Sequence, residues 1–244
     1  MKKIITLLAL LTLQLGFSQI TLARLNFTPI PSGSVIANNQ TGYPQAEVGF
    51  KVRNTGSTTT NVWVKCEDLL NNDGTSFQLC FGEECLPEVV EGLSYPSVGV
   101  TLAPNGTNGN FDHFLNDNAG TGVYPLDFVF RFYQTNQATQ GGTEVGNSIT
   151  VTYRYDPNLT IDEVSQLETS GVIVKSTLID DELVLDVLKS TSMAVYDLNG
   201  KVVYNSELNY GVQTIDFSNI SSGVYVINFT NAEGNSSTKK IIKK

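Results

Sequence analysis

The amino-acid sequence predicts an all-β protein of two antiparallel sandwiches joined by a linker, on three observations. Apolar and polar residues alternate with a period of two along almost every apolar stretch, the spacing of a strand with one buried face. The stretches are short and are separated by clusters of Gly, Asn, Pro and Ser, residues that supply turn conformations. One polar segment, residues 157–170, breaks the alternation and separates residues 19–156 from residues 171–244.

Taken in order, the chain starts with Met1, Lys2 and Lys3, a short positive segment. Residues 4–15 are apolar apart from Thr6, Thr12 and Gln14, and Gly16 and Ser18 place small residues before Gln19. This is the pattern of a cleaved N-terminal signal peptide over residues 1–18. The apolar part is shorter than the roughly 20 residues a membrane span needs, so no transmembrane anchor is expected.

Val48, Phe50 and Val52 then share a face opposite Glu47, Lys51 and Arg53. After the turn sequence NTGS, Val62, Val64 and Cys66 share a face opposite Trp63 and Lys65, so the two stretches read as a hairpin with one wet face. Val98, Val100 and Leu102 mark another strand. Leu126, Phe128, Phe130 and Phe132 line a long one, and Ile149, Val151, Tyr153 and Tyr155 the next. Strands at this spacing argue for an Ig-like sandwich over residues 19–156.

Residues 157–170 read as the linker, with one helical turn near residues 161–167. Strands are predicted at 172–174, 183–188, 193–198, 201–204, 214–217, 224–230 and 238–242, making residues 171–244 a second, smaller Ig-like sandwich. Asn199-Gly200 predicts a two-residue hairpin turn with positive φ at both central positions. The lysines of KKIIKK, residues 239–244, read as a solvated, frayed terminus or as part of a recognised signal.

The formal net charge is −9, with no clustered basic face, which argues against a nucleic-acid partner. His113 is the only histidine, in the predicted loop NFDHFLNDN, and any Ser-His-Asp or Cys-His arrangement would have to use it. There is no Gly-x-Ser-x-Gly elbow and no pair of carboxylates stands out, so no catalytic residue is assigned. Asp112, Asn116, Asp117 and Asn118 could offer oxygens to calcium but do not follow the EF-hand spacing, and no other cofactor is suggested. Trp63, with Tyr43, Tyr95 and Tyr133, could form an exposed aromatic platform for a ligand such as a glycan, or could fill a core.

The last third carries two motifs, YDLNGKVV from Tyr196 and SSGVYVINF from Ser221, before the closing lysines. This segment resembles the type A C-terminal sorting domain of type IX secretion system substrates of Bacteroidetes. The matching positions are Tyr196, Asp197, Gly200, Lys201, Gly223, Val224, Tyr225, Lys239 and Lys240; the usual Pro-Asn-Pro near the domain start is absent. The resemblance implies export through the type IX machinery, removal of the tail by a sortase-like peptidase, and a secreted product or one attached to the outer surface of the outer membrane.

Cys80 and Cys85 bracket FGEE, and this spacing resembles a bracket found in other secreted proteins of the same export class, which implies a Cys80–Cys85 disulfide. Loop entropy assigns so small a ring about 2 kcal/mol and a Cys66–Cys80 ring about 3 kcal/mol. Cys66 shares a face with Val62 and Val64 and reads as a small buried hydrophobe. The expectation is a non-enzymatic binding or adhesion module, partnered by a glycan or a host or surface protein. The alternatives are a surface-coat component or a small extracellular hydrolase.

Overall fold

The computed structural model describes residues 20–244; the predicted signal peptide, residues 1–18, and Gln19 lie outside the described residues. The first sandwich holds β1 (Ile20–Arg24), β2 (Ser34–Asn38), β3 (Glu47–Asn54), β4 (Thr60–Leu70), β5 (Phe77–Phe81), β6 (Glu84–Leu86), β7 (Ser94–Leu102), β8 (His113–Asn116), β9 (Leu126–Thr135) and β10 (Glu144–Tyr155). One sheet runs β1-β3-β8-β5-β6 and the facing sheet β2-β10-β9-β4-β7. Every pairing is antiparallel except that of β2 along β10, which is parallel.

The core between the sheets is aromatic. Phe77 stacks on Phe128 with ring centroids 4.1 Å apart, and Phe114 stacks on Phe130 at 4.7 Å. Phe50 meets Phe132 edge-on at 5.3 Å, and Tyr153 meets Phe77 in the same way at 5.1 Å. Offset and edge-to-face pairs of this kind add to the burial of large apolar area.

The predicted hairpin between residues 47–53 and 62–66 does not form. β3 pairs with β1 and β8 in one sheet, whereas β4 pairs with β9 and β7 in the other. The reason is in the same alternation. Val48, Phe50 and Val52 on one strand, and Val62, Val64 and Cys66 on the other, are all buried in one cluster. They meet face to face across the core, so the turn after β3 crosses from sheet to sheet.

The segment read as a linker is a helix, α1 (Ile161–Ser170). Its ends are fully specified. Thr160 is the N-cap of a capping box with Glu163, and Gly171 closes the helix in the left-handed conformation at φ 73°. The side chain of Leu167 is fully buried against Ala37, Leu159 and Ile173. Arg24 Nη2 donates to Glu168 Oε1 at 2.6 Å, and Asn39 Nδ2 donates to the Leu159 carbonyl at 3.0 Å. On the other side, Thr191 Oγ1 donates to the Ser170 carbonyl at 3.1 Å and Ser237 Oγ to Ser170 Oγ at 2.7 Å. The helix is therefore packed between the two sandwiches.

The second sandwich holds β11 (Val172–Val174), β12 (Leu178–Ile179), β13 (Glu182–Val187), β14 (Thr191–Tyr196), β15 (Val202–Leu208), β16 (Gly211–Asp216), β17 (Gly223–Asn231) and β18 (Ser236–Lys243). Its sheets run β11-β13-β16 and β12-β18-β17-β14-β15. The sequence reading lacked β12, a two-residue strand that pairs in parallel with β18. The terminal lysines do not fray. β18 pairs with β17 from Ser236 to Lys243, Ile241 is buried in the core, and Lys243 is buried with Nζ donating to Asp181 Oδ1 at 2.9 Å.

Candidate functional site

Most residues of the tail motifs shape the second sandwich. Asp197 Oδ1 accepts from the backbone N–H groups of Asn199 at 2.8 Å and Lys201 at 2.9 Å, which ties the β14–β15 turn. Only Gly200 has positive φ there, 79°, and the pairing shifts register between Val195 and Tyr196. The turn is thus a bulged one built on the Asp197 side chain, not a two-residue turn with both centres left-handed. Gly223 and Val224 open β17, and the hydroxyl of buried Tyr225 donates to the Ser221 carbonyl at 2.7 Å, pinning the corner before the strand. Tyr196 is half-buried on the outer face of the five-stranded sheet, and Lys201 and Lys240 are exposed. Lys239 lies opposite Ile227 and Lys240 opposite Val226 in the β17–β18 ladder.

Trp63 is not an exposed platform. It is fully buried on the outer side of β4, and its Nε1 donates to Thr135 Oγ1 at 2.9 Å. β7 bulges opposite it, and Gly99 lies against the indole so closely that a Cβ there would come within 2.7 Å of the ring. The alternation placed Trp63 on the outer face correctly; what it could not show is that a neighbouring strand covers that face. Tyr133 and Tyr95 are likewise held, the first donating to Ser94 Oγ at 2.9 Å and the second accepting from the Val90 N–H at 2.8 Å. Tyr43 is exposed, on the β2–β3 loop.

Cys80 and Cys85 are joined as a disulfide across the β5–β6 hairpin, where they are direct cross-strand partners. Cys66 is free and buried. Burial first, then Glu91, Asp68 and Glu67, push its thiol from 9.0 up to about 12. The fold thus favours the neutral thiol. That contribution is whole below the unfolded value of 9.0 and is lost as pH rises from there through about 12. The folded protein at pH 8 is therefore expected to take up no iodoacetamide, and one equivalent after unfolding in guanidinium. Mass spectrometry reads both, and native labelling of Cys66 would contradict the packing.

His113 opens β8. Its Nδ1 lies 2.7 Å from the Phe111 carbonyl and its Nε2 2.9 Å from Gln78 Oε1, so both ring nitrogens are engaged. Asp112 is buried, accepting from Asn108 Nδ2 at 2.6 Å, and burial raises its pKa. Asn116 and Asn118 hydrogen-bond backbone groups of the next turn: Asn116 Oδ1 accepts from the Asn118 N–H at 3.1 Å and Asn118 Oδ1 from the Gly120 N–H at 2.8 Å. These oxygens serve the loop geometry.

An uncharged row crosses the outer face of the first sheet. Pairing register sets Gly49 beside His113, His113 beside Cys80, and Cys80 beside Cys85. Leu25 packs over Gly49, where a Cβ would come within 2.4 Å of Leu25 Cδ1, so the glycine keeps that end of the row flat. Phe111 stands two residues before His113 and is 87% exposed. Sequence reading missed this row because it is assembled from four strands and the turn residue after β1. By contrast, the outer face of the second sheet is charged: Arg131 bonds Glu67 at 2.5 Å and Glu144 at 2.8 Å and lies over the Tyr133 ring.

Residues 178–244 match the family described as the secretion system C-terminal sorting domain. The tail is accordingly a type IX sorting domain, and the chain is a substrate of that route, secreted or held at the outer surface. Among the described residues, no helix is long and apolar enough to cross a membrane. No curated protein matches the chain. Among solved structures, the N-terminal domain of PorA is similar at 18% identity over 57% of this chain and 98% of its own, with a TM-score of 0.36. The YadV chaperone is similar at 11% identity over 92% of this chain and 99% of its own, with a TM-score of 0.39. The Salmonella enterica SafA pilin in complex with the SafB chaperone gives 9% identity, coverages of 93% and 96%, and a TM-score of 0.39.

Proposed function

We propose that this type IX secretion substrate is a non-enzymatic adhesion protein whose first sandwich engages a protein surface through the outer face of its β1-β3-β8-β5-β6 sheet. The observation that carries this reading is the uncharged row from Leu25 through Gly49 and His113 to the disulfide, with Phe111 standing in solvent beside it. Protein interfaces are depleted of charge at their centre and enriched in aromatic anchors. The row residues themselves carry no carboxylate or ammonium, Phe111 supplies the aromatic, and Glu47 beside His113 puts one charge at the row's flank. The reading needs no cofactor. It assigns His113 a structural part, because both ring nitrogens already have partners. Removal of the tail by a sortase-like peptidase belongs to the same reading, since the binding face lies wholly on the first sandwich.

The test is an array of purified extracellular-matrix and cell-surface proteins probed with the mature chain. At least one protein is expected to bind at about 1 μM or tighter. Phe111→Ser, a change at an exposed position, is expected to weaken that binding about tenfold or more without moving the thermal midpoint. Binding that Phe111→Ser leaves unchanged, or no binding at all, would remove the support for this face.

A further inference from the structure

We propose that α1 covers a latent association edge, and that β2, once uncovered, pairs with β2 of a second copy of the chain. β2 is the outermost strand of its sheet, hydrogen-bonded to β10 on one side only. Its sequence, Ser-Val-Ile-Ala-Asn, has no charge and no proline. Strand edges of that composition lack the features that ordinarily prevent edge-to-edge pairing. Here the protection comes from elsewhere in the chain. The Ala37 side chain lies in the cluster around Leu167, and Glu168 of α1 lines the same groove as Val35 and Ile36. Glu168 is itself held by Arg24.

The cover is incomplete. By strand alternation the N–H of Val35 points the same way as that of Ala37. Beside Val35 and Ile36 runs an open groove of about 340 Å³, walled by Pro29, Pro31, Thr169 and Asn235. A second β2 fits this edge for reasons of charge and symmetry. Two uncharged copies bring no repulsion, and antiparallel pairing of identical strands about a two-fold axis satisfies both edges with the same residues. A charged or proline-bearing strand would not match it equally well.

The experiment uses the full mature chain and light scattering after size exclusion, from about 10 to 500 μM. Wild type is expected to be monomeric. Leu167→Pro removes the buried anchor and breaks the helix, and is expected to produce a discrete dimer at the upper concentrations. Glu168→Ala keeps the helix and its core but opens the groove beside Val35 and Ile36; it is expected to dimerise as well, at concentrations several-fold higher. Adding Val35→Pro, which removes an outward N–H without touching the bonds to β10, is expected to return both to monomers. Monomers in both variants would overturn the proposal, as would a dimer that survives Val35→Pro. Phe111→Ser is expected to leave the dimer unchanged, which separates this edge from the proposed adhesion face.

Discussion

Phe77→Ala is expected to lower the stability of the first sandwich by about 3–5 kcal/mol. Phe77 is fully buried and packs against four other aromatic rings, Phe114, Phe128, Phe130 and Tyr153, with centroid distances from 4.1 to 6.1 Å. Truncation removes the transfer free energy of the ring and leaves a void that four rigid rings, anchored on three other strands, can close only in part. A domain is typically stable by about 5–15 kcal/mol, so one substitution removes a large share. Urea unfolding followed by tyrosine and tryptophan fluorescence measures it. Two transitions are informative here: the first sandwich's is expected to move to much lower urea, while the second sandwich's moves little. A loss under about 1 kcal/mol would mean that the aromatic centre repacks freely.

The second large effect is expected at Asp127. Arg154 Nε and Nη2 donate to the two Asp127 carboxylate oxygens at 2.7 and 2.6 Å, across the β9–β10 ladder. Both side chains are 10% exposed, although they lie on the outer face of their sheet. Burial by itself would lower the Arg154 pKa; the bonds and charge of Asp127 outweigh it and raise it. Asp186 and Tyr210 of the second sandwich add smaller contributions in the same direction. Asp127→Ala leaves a buried guanidinium without its anion and is expected to cost about 3–5 kcal/mol. Asp127→Leu combined with Arg154→Met is expected to recover most of that loss, because the desolvation of both charges disappears together. A double-mutant cycle on urea midpoints reads the coupling; equal losses for the single and double variants would show that the pair does not act as a unit.

The strands were legible because burial on one face leaves a period of two, and that signal is local. It located Phe50, Phe128 and Phe132 on core faces; the Cys80–Cys85 pairing came from the resemblance, not from the alternation. What it could not carry was partnership. The β3–β4 turn looks the same whether the chain folds back beside itself or crosses the core, and only the shared burial of both apolar faces decides between them. Trp63 fails for a related reason, since a residue on an outer face is exposed only if no bulge from the next strand lies over it. The helix was legible at greater length than the single turn expected near residues 161–167. Thr160 and Glu163 carry the capping-box spacing, and Gly171 follows at the position of a left-handed cap. The polar composition of residues 157–170 outweighed those signals, because α1 buries little besides Val164 and Leu167. Of the proposed adhesion face, Phe111 was visible only as a loop residue, since the row beside it exists only after four strands are assembled.

The position of β18 has a consequence in time. It lies inside its sheet, between β12 and β17, and carries Ile241 into the core. A chain synthesised only as far as Glu233 has no partner for β12 and leaves one side of β17 bare, so the sorting sandwich cannot close. Folding of the address must therefore wait until this strand is present, whereas neither sheet of the first sandwich contains it. Export that depends on the closed sandwich discriminates by length as well as by identity, and unfinished chains are excluded without any separate inspection step.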